Sequence, residues 1–259
     1  MDPTKDISKL ATCTTCQFSE DFSNYWTAVL FFRARNGTYH RVPQIGNSGF
    51  EGSNGGMTVY YMQGPLADME QKAKVTAFRP GFRQLVGEAA YRTKGEARRF
   101  RQLTYTCLET MGTRFPETLD FPKKPCPAGI MVNARFPTCW DGKNLDSPDH
   151  MAHMSYPESG TFESSGPCPA SHPVRVPQLM YETIWDTRGF NDRREWPEEK
   201  GEEAGVQQQQ QQPFVWSMND RTGYGNHGDY VFGCEFLFLF FLFGLPLFLS
   251  LVDVQKWCF

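Results

Sequence analysis

Cysteines placed beside prolines constrain the fold of this chain more than any other feature. One Pro-Cys-Pro segment at Cys126 and a second at Cys168 enclose a stretch rich in Asp, His and Gly. Six cysteines lie in the polar body of the chain, without zinc-finger spacing: Cys13, Cys16, Cys107, Cys126, Cys139 and Cys168. This pattern favours the disulfides of an extracellular protein over metal thiolates. The sequence alone does not determine which of these six cysteines bond to one another.

The rest of the composition predicts a fold made mainly of β-strands. The 259 residues include 23 Gly and 18 Pro, which favour short elements joined by turns. β-Branched and aromatic runs predict strands at residues 25–35, 39–42, 57–62, 82–86, 129–136, 176–185, 214–218 and 230–232. Ala, Glu, Arg and Gln between residues 88 and 103 predict one helix. We therefore expect a mainly β, sandwich or jelly-roll-like domain over residues 1–233, with long disulfide-pinned loops and about one helix.

Two segments differ from this body in composition. Residues 195–212 are acidic and end in six glutamines, which predicts a solvated insertion without a core. Residues 234–259 form an apolar tail, in which 13 of the 17 residues from 236 to 252 are Phe or Leu. A membrane span needs about 20 apolar residues, so a membrane partner is expected only if this tail is genuine. We favour a second interpretation, in which the tail is a translated intron.

The charge balance excludes one class of partner, and a short motif suggests a modification. With 26 basic and 29 acidic residues, the chain has no basic footprint for nucleic acid. Asn36-Gly37-Thr38 is an N-glycosylation sequon, which predicts a glycoprotein. The same Asn-Gly pair also predicts a hairpin turn. The two interpretations are compatible, since a glycan needs an exposed turn.

The segment Asp146-x2-Asp149-His150-x2-His153 is the first candidate site. Carboxylates and imidazoles suit one divalent metal ion, for which His150 and His153 are the predicted ligands. Asp141, Asp146 and Asp149 are then candidate catalytic carboxylates. In the alternative interpretation, these side chains only satisfy backbone groups of a proline-rich loop.

A Gly-rich loop containing His227 and Asp229 is the second candidate site. Glycine spacing alone is weak evidence for a phosphate site, so this loop is either a structural turn or a turn holding one functional histidine. Paired carboxylates could also serve glycoside hydrolysis, in which an acid and a base or nucleophile flank the bond, and the candidates are Asp141, Asp146, Asp149, Glu182 and Asp186. Six aromatic residues are expected to pack in the core; in the alternative interpretation they are exposed and stack on sugar rings: Trp140, Tyr181, Trp185, Trp216, Tyr224 and Tyr230.

Several long blocks resemble one secreted fungal family of unknown activity. These blocks are residues 18–29, 55–61, 78–83, 139–153, 166–174 and 220–233. Together they resemble the family called domain of unknown function number nineteen-ninety-six, over roughly residues 2 to 233. The resemblance implies an extracellular or cell-wall location, although Met1-Asp2-Pro3 does not open a signal peptide. It also implies that Met1 is an internal methionine. In the family a His-x-His segment normally precedes this position, and it would supply the second half of the metal site.

These observations predict a protein that acts at the cell wall or on extracellular polysaccharide. The first hypothesis is a carbohydrate-active enzyme with a metal- or carboxylate-based site. The second is a non-catalytic cell-wall-binding or structural module whose aromatic side chains contact glycans. The sequence does not decide between them.

Overall fold

The computed structural model describes Leu10, Cys16 and residues 21–46, 56–62, 75–160, 166–197, 212–233 and 248–252, the last range as backbone only. The described strands are β1 (Asn24–Thr27), β2 (Leu30–Arg33), β3 (Tyr39–Arg41), β4 (Gln44–Ile45), β5 (Met57–Met62), β6 (Arg83–Gly87), β7 (Leu103–Cys107), β8 (Ile130–Arg135), β9 (Cys139–Trp140), β10 (Met154–Ser155), β11 (Val174–Arg175), β12 (Gln178–Trp185), β13 (Phe214–Trp216), β14 (His227–Val231) and β15 (Phe248–Val252). The fold is mainly β, as the composition predicts.

The strands form one large sheet and three small ones, with antiparallel pairing throughout. The large sheet has the order β15-β5-β12-β8-β7, and β4 also pairs with β12. The small sheets have the orders β1-β14-β6, β13-β2-β3 and β10-β9-β11. Alternate residues of the large sheet point into the core, where Val59 and Tyr181 pack with Tyr25 and Tyr230 of the sheet β1-β14-β6. Because apolar faces of two sheets enclose this core, the predicted sandwich is confirmed.

A second part of the core lies between the large sheet and the sheet β13-β2-β3. Tyr105 and Trp185 of the large sheet pack with Trp216 in this cluster. The Trp216 indole N–H donates to the Tyr105 hydroxyl over 2.8 Å, and that hydroxyl donates to the Gly223 carbonyl over 2.6 Å. The buried polar atoms of Tyr105 and Trp216 thus have partners, which offsets the cost of removing these atoms from water.

The predicted helix is much shorter than its sequence suggests. Helix α1 spans only Lys94–Ala97, and a 3-10 turn, Arg98–Phe100, follows it. Thr93 and Glu96 form a capping box at its start, but Ala97 alone is buried. Without an apolar stripe the segment has no face to pack against the core. From Leu103 onward, residues predicted as helical or left unassigned form β7 and pair with β8.

The predicted strand 25–35 is divided between two sheets. β1 pairs with β14, whereas β2 pairs with β13 and β3. The turn at Asn36–Gly37 joins β2 to β3 as predicted, with Gly37 at a φ of 88°. Asn36 Oδ1 accepts from the Thr38 N–H and hydroxyl, at 3.0 and 2.7 Å, and the turn is exposed. Attachment of a glycan there stays a prediction.

Both ends of the predicted insertion at 195–212 belong to the folded domain. Trp196 is buried against Phe214, and its indole N–H donates to the Phe190 carbonyl over 2.8 Å. Gln212 is also buried, and its side chain bonds the backbone of Phe214 in both directions. Residues 198–211, which include the other five glutamines, lie outside the described residues.

The apolar tail enters the described structure at one place. β15 pairs along β5 over five residues, from Phe248 opposite Tyr61 to Val252 opposite Met57. The other tail residues lie outside the described part of the chain, so the intron and anchor interpretations stay predictions. Among the residues that the structure describes, none of the helices has the length and apolar content needed to span a membrane.

Gly87 at the end of β6 lets the chain pass close to β14, and its replacement tests that contact. A Cβ atom there would lie 2.3 Å from the Asn226 carbonyl oxygen and 2.8 Å from His227 Cα, at a φ of 91°. We expect Gly87→Ala to lower the free energy of unfolding by about 3 kcal/mol, from backbone strain plus overpacking. Gly37→Ala is the matched control, since its φ is 88° but no atom lies within 4 Å of the added Cβ. Its expected loss is about 1 kcal/mol. Equal losses in urea unfolding of the two variants would contradict the close approach.

Candidate functional site

The loop that carries the first candidate residues is pinned by a disulfide and a small sheet. Cys139 bonds Cys168, and β9, which begins at Cys139, pairs with both β10 and β11. Trp140 is buried between Phe82 and the loop, and its indole N–H donates to the Asn144 carbonyl over 2.6 Å. A second disulfide joins Cys107 to Cys126. The predicted disulfide-pinned loop is therefore confirmed, with a pairing that the sequence left open; Cys13 lies outside the described residues.

Two of the three loop aspartates hold turns of the backbone. Asp141 Oδ1 accepts from the N–H groups of Lys143 and Asn144, at 2.8 and 2.9 Å. Burial alone would raise the pKa of Asp141, but these bonds and one from the Asn144 amide lower it below its usual value. Asp149 Oδ1 accepts from Ala152 N, the Ser147 hydroxyl and Met151 N, which lower the pKa of Asp149 to about 2. Both carboxylates match the structural alternative for this loop.

His153 is a buried ring with a partner on each nitrogen. Nε2 lies 2.7 Å from the Arg83 carbonyl oxygen, which only accepts, so Nε2 carries a hydrogen. Nδ1 lies 2.9 Å from Ser147 Oγ, and Phe82 packs edge-on against the ring. Burial lowers the pKa of His153 and so favours the neutral ring, in which Nδ1 and Asp149 Oδ1 are alternative acceptors for the single hydrogen of the Ser147 hydroxyl. A metal ion would have to displace Ser147 to reach its lone pair.

Asp146 and His150 form a hydrogen-bonded pair at the edge of the loop. His150 Nδ1 lies 2.6 Å from Asp146 Oδ1, which also accepts from Ser147 N, and Arg83 Nε lies 4.0 Å from Asp146 Oδ2. His150 has a φ of 57°, a left-handed conformation that is uncommon for histidine and recurs at functional sites. When Nδ1 donates to the carboxylate, Nε2 keeps its lone pair available.

His227 and Asp229 lie on β14, side by side on one face of the sheet β1-β14-β6. The His227 ring is 5.1 Å from the Trp26 ring, and its Nδ1 lies 2.9 Å from the Gly225 carbonyl oxygen. The half-buried carboxylate of Asp229 has no hydrogen-bond donor among the described residues. Burial raises the pKa of Asp229, and this effect exceeds the electrostatic interactions with His227 and His150, which act to lower that pKa.

The sheet brings the two candidate sites together. Asp229 is directly opposite Leu85 of β6, and the Leu85 N–H donates to the His150 carbonyl over 2.9 Å. Arg83, two residues before Leu85, shares this face and contacts Asp146. His150 and Asp146 from the loop thus border Asp229 and His227 from the strand. We call these four residues, with Arg83, the acid–base face.

The other predicted residues lie elsewhere. Glu182 is 6% exposed and faces the opposite side of the sandwich, between Thr58 and Asn133 of the neighbouring strands. Asp186 accepts two bonds of 2.8 Å from the Arg188 guanidinium. The six aromatic residues are all buried, so their default assignment to the core is confirmed: Trp140, Tyr181, Trp185, Trp216, Tyr224 and Tyr230. Within the described part of the chain, no group of three or more His, Cys, Asp or Glu side chains is placed to hold a metal ion.

Comparison with known families gives one match. The family model described as Domain of unknown function (DUF1996) matches residues 1–234. The chain belongs to this family. The DUF1996 match includes both the loop at Cys139 and the strand that carries Asp229. No curated protein and no solved structure matches the chain.

Two residues in or next to the acid–base face of this DUF1996 chain were not predicted from the sequence: Arg83 and Trp26. Each lies in a block that carries the family resemblance, which was the available signal. Their contribution depends on the register of β6 and β1 against β14, and no local pattern encodes that register.

The pH dependence of stability tests the environment of His153. Because burial lowers its pKa, the unfolded chain takes up a proton more readily than the folded protein, and stability falls as pH drops below about 6.5. We expect His153→Gln, which does not titrate, to flatten the fall in urea midpoint between pH 7.5 and 5. One proton accounts for at most about 1.4 kcal/mol per pH unit. The half-buried His172 provides the control, His172→Gln; an unchanged slope in His153→Gln would contradict a neutral buried ring.

Proposed function

We propose that the protein is an extracellular enzyme that hydrolyses glycosidic bonds of a polysaccharide at the acid–base face. One observation carries this proposal: Asp229 is a half-buried carboxylate without a hydrogen-bond donor among the described residues, has a raised pKa and stands beside two histidines. A carboxyl group with a raised pKa keeps its proton to a higher pH than an ordinary aspartate, which suits a general acid. Structural carboxylates usually have the opposite features, as Asp149 does.

The chemistry assigns one role to each side of the face. Protonated Asp229 donates its proton to the glycosidic oxygen as the bond from that oxygen to the anomeric carbon breaks. His150 Nε2 takes a proton from water, whose oxygen forms the new bond to the anomeric carbon. Asp146 keeps His150 in the tautomer with a hydrogen on Nδ1 and stabilises the imidazolium that results. Solvent then returns the proton from His150 to Asp229.

An oxidising location is consistent with this role. The disulfides Cys107–Cys126 and Cys139–Cys168 are typical of extracellular folds, and the exposed sequon at Asn36 would carry its glycan in the secretory pathway. The near balance of 26 basic and 29 acidic residues offers no basis for a nucleic-acid partner. These features support a substrate at the cell wall or among extracellular polysaccharides.

The test is product release from wall polysaccharides. The full chain is incubated with soluble fungal and plant cell-wall polysaccharides, and released reducing ends and oligosaccharides are measured. We expect product with the wild type and its loss in His150→Ala, while His40→Ala keeps the wild-type rate. His40 is the matched control because it lies on β3 of a different sheet.

A chelator arm tests the predicted divalent metal ion in the same assay. Loss of product with chelator, restored by a divalent metal, would replace the metal-free mechanism with one in which His150 holds the ion. Co-sedimentation with insoluble polysaccharide without any product would instead support the non-catalytic module. The burial of the six sequence-predicted aromatic residues weighs against that module, because buried rings are unable to stack on sugars.

A further inference from the structure

Three polar groups on one face of the sheet β1-β14-β6 lie near one another, and none has a hydrogen-bond partner among the described residues. They are the Trp26 indole N–H, the His227 Nε2 atom and the Asp229 carboxylate. Trp26 is directly opposite Asp229 in the register of β1 and β14, so both side chains emerge on the same face. Groups of this kind that meet at one place are what an external hydroxyl-rich ligand requires.

The Trp26 ring differs from the other aromatic residues considered for sugar contact. It is half-buried, whereas the six residues predicted from sequence are fully within the core. Its ring is tilted by 35° to the His227 ring at a centroid distance of 5.1 Å. A partly exposed indole ring, which also packs against the core cluster of Tyr105 and Trp216, thus stands next to the Asp229 carboxylate and the His227 imidazole.

We infer that Trp26 is the platform on which one sugar ring of the substrate stacks, and that the substrate is a β-linked pyranose polymer. The inference rests on the proposed function. Equatorially linked pyranoses present a flat face of axial C–H bonds, which suits an indole ring, while their hydroxyls point outward to polar groups. A ring seated on Trp26 places its linkage beside Asp229, the residue opposite Trp26 in the sheet. Trp26 acts by positioning, without taking part in bond breaking.

The test measures polymer binding apart from turnover. Each variant is prepared in the Asp229→Asn background, and its retardation is measured in native gels that contain a soluble β-linked glucan, xylan or mannan. We expect Trp26→Leu to weaken binding to the recognised polymer about tenfold, because Leu keeps apolar bulk but has no flat face. Trp26→Phe restores most of the binding. Tyr39→Ala, an exposed aromatic residue on β3, leaves binding unchanged.

Kinetics in the wild-type background give the second readout. Trp26→Leu is expected to raise KM about tenfold with a smaller change in kcat, and Trp26→Phe to return KM toward the wild-type value. Thermal unfolding of each variant verifies the fold. If the Leu variant fails to fold, Trp26→Phe alone tests the inference, and a Trp26→Phe variant that has lost polymer binding overturns it.

The outcomes separate this inference from the proposed function. Polymer binding that depends on Trp26, in a protein that releases no product, supports the platform and overturns the hydrolase. Product release that is unaffected by Trp26→Leu overturns the platform and leaves the hydrolase standing. Retardation by an α-linked polymer in place of the β-linked ones would overturn the substrate class.

Discussion

Asp229→Asn is expected to lower the rate of polysaccharide cleavage by about 10²–10⁴-fold, the usual contribution of a positioned general acid. Asparagine has nearly the same shape but no proton to donate at this position. The rate of the wild type should fall as pH rises through the raised pKa of Asp229, because only the protonated carboxyl acts as the acid. The measurement is kcat/KM against pH for both proteins.

The stability of Asp229→Asn should move in the opposite direction to its activity. Burial raises the pKa of Asp229 above its unfolded value, so the folded protein loses stability as pH rises from about 4 to that raised pKa. Replacing the half-buried charge by a neutral amide removes this loss, and the urea midpoint at pH 7 should stay equal or increase. A gain in stability with a loss of activity is characteristic of a functional site.

The control for this prediction is Asp192→Asn. Asp192 is exposed, and its bonds to Arg194 lower its pKa to about 2. Its replacement should leave the rate unchanged. If Asp229→Asn keeps the wild-type rate at every pH, the acid role of Asp229 is wrong.

The second large effect concerns the disulfide Cys139–Cys168. Its bridge closes a segment with a sequence separation of 29, for which loop entropy gives about 3–4 kcal/mol of stabilisation. The double variant Cys139→Ser/Cys168→Ser should lose that amount in urea unfolding. It should also lose activity at temperatures where it remains folded, because Cys139 begins the strand that positions the Asp146–His150 loop.

The other disulfide provides a matched control. Cys107–Cys126 has a sequence separation of 19, for which the same relation gives about 3 kcal/mol. The variant Cys107→Ser/Cys126→Ser should therefore lose nearly as much stability. It should keep the rate per folded molecule, since this bridge ties β7 to the segment before β8, outside the acid–base face. Equal losses of rate in the two double variants would contradict a specific role for Cys139–Cys168.

Local patterns in the sequence were sufficient for most strands but not for the length of the helix. Residues such as those of β8 and β12 are β-branched or aromatic and bury side chains toward the core, so propensity and packing agree. Between residues 88 and 103, helix-forming residues lack an apolar stripe. The pairing of β7 with β8 therefore determines the structure at the C-terminal end of this segment.

The candidate site was predictable in its parts but not in its assembly. Asp146, His150, His227 and Asp229 were all identified from residue type and spacing. Their meeting depends on the bond from the Leu85 N–H to the His150 carbonyl and on the register of β6 with β14, which are contacts between distant parts of the chain. For the same reason the sequence did not separate Asp149 and His153, which support the loop, from Asp146 and His150, which border the strand.

The bonds from the N–H groups of Arg83 and Leu85 to the carbonyls of Leu145 and His150 have a consequence for solubility. β6 is the last strand of its sheet, and the loop occupies donors that would otherwise be open to a strand of another molecule. Release of the loop would uncover this edge, so misfolding of the loop and self-association should begin together.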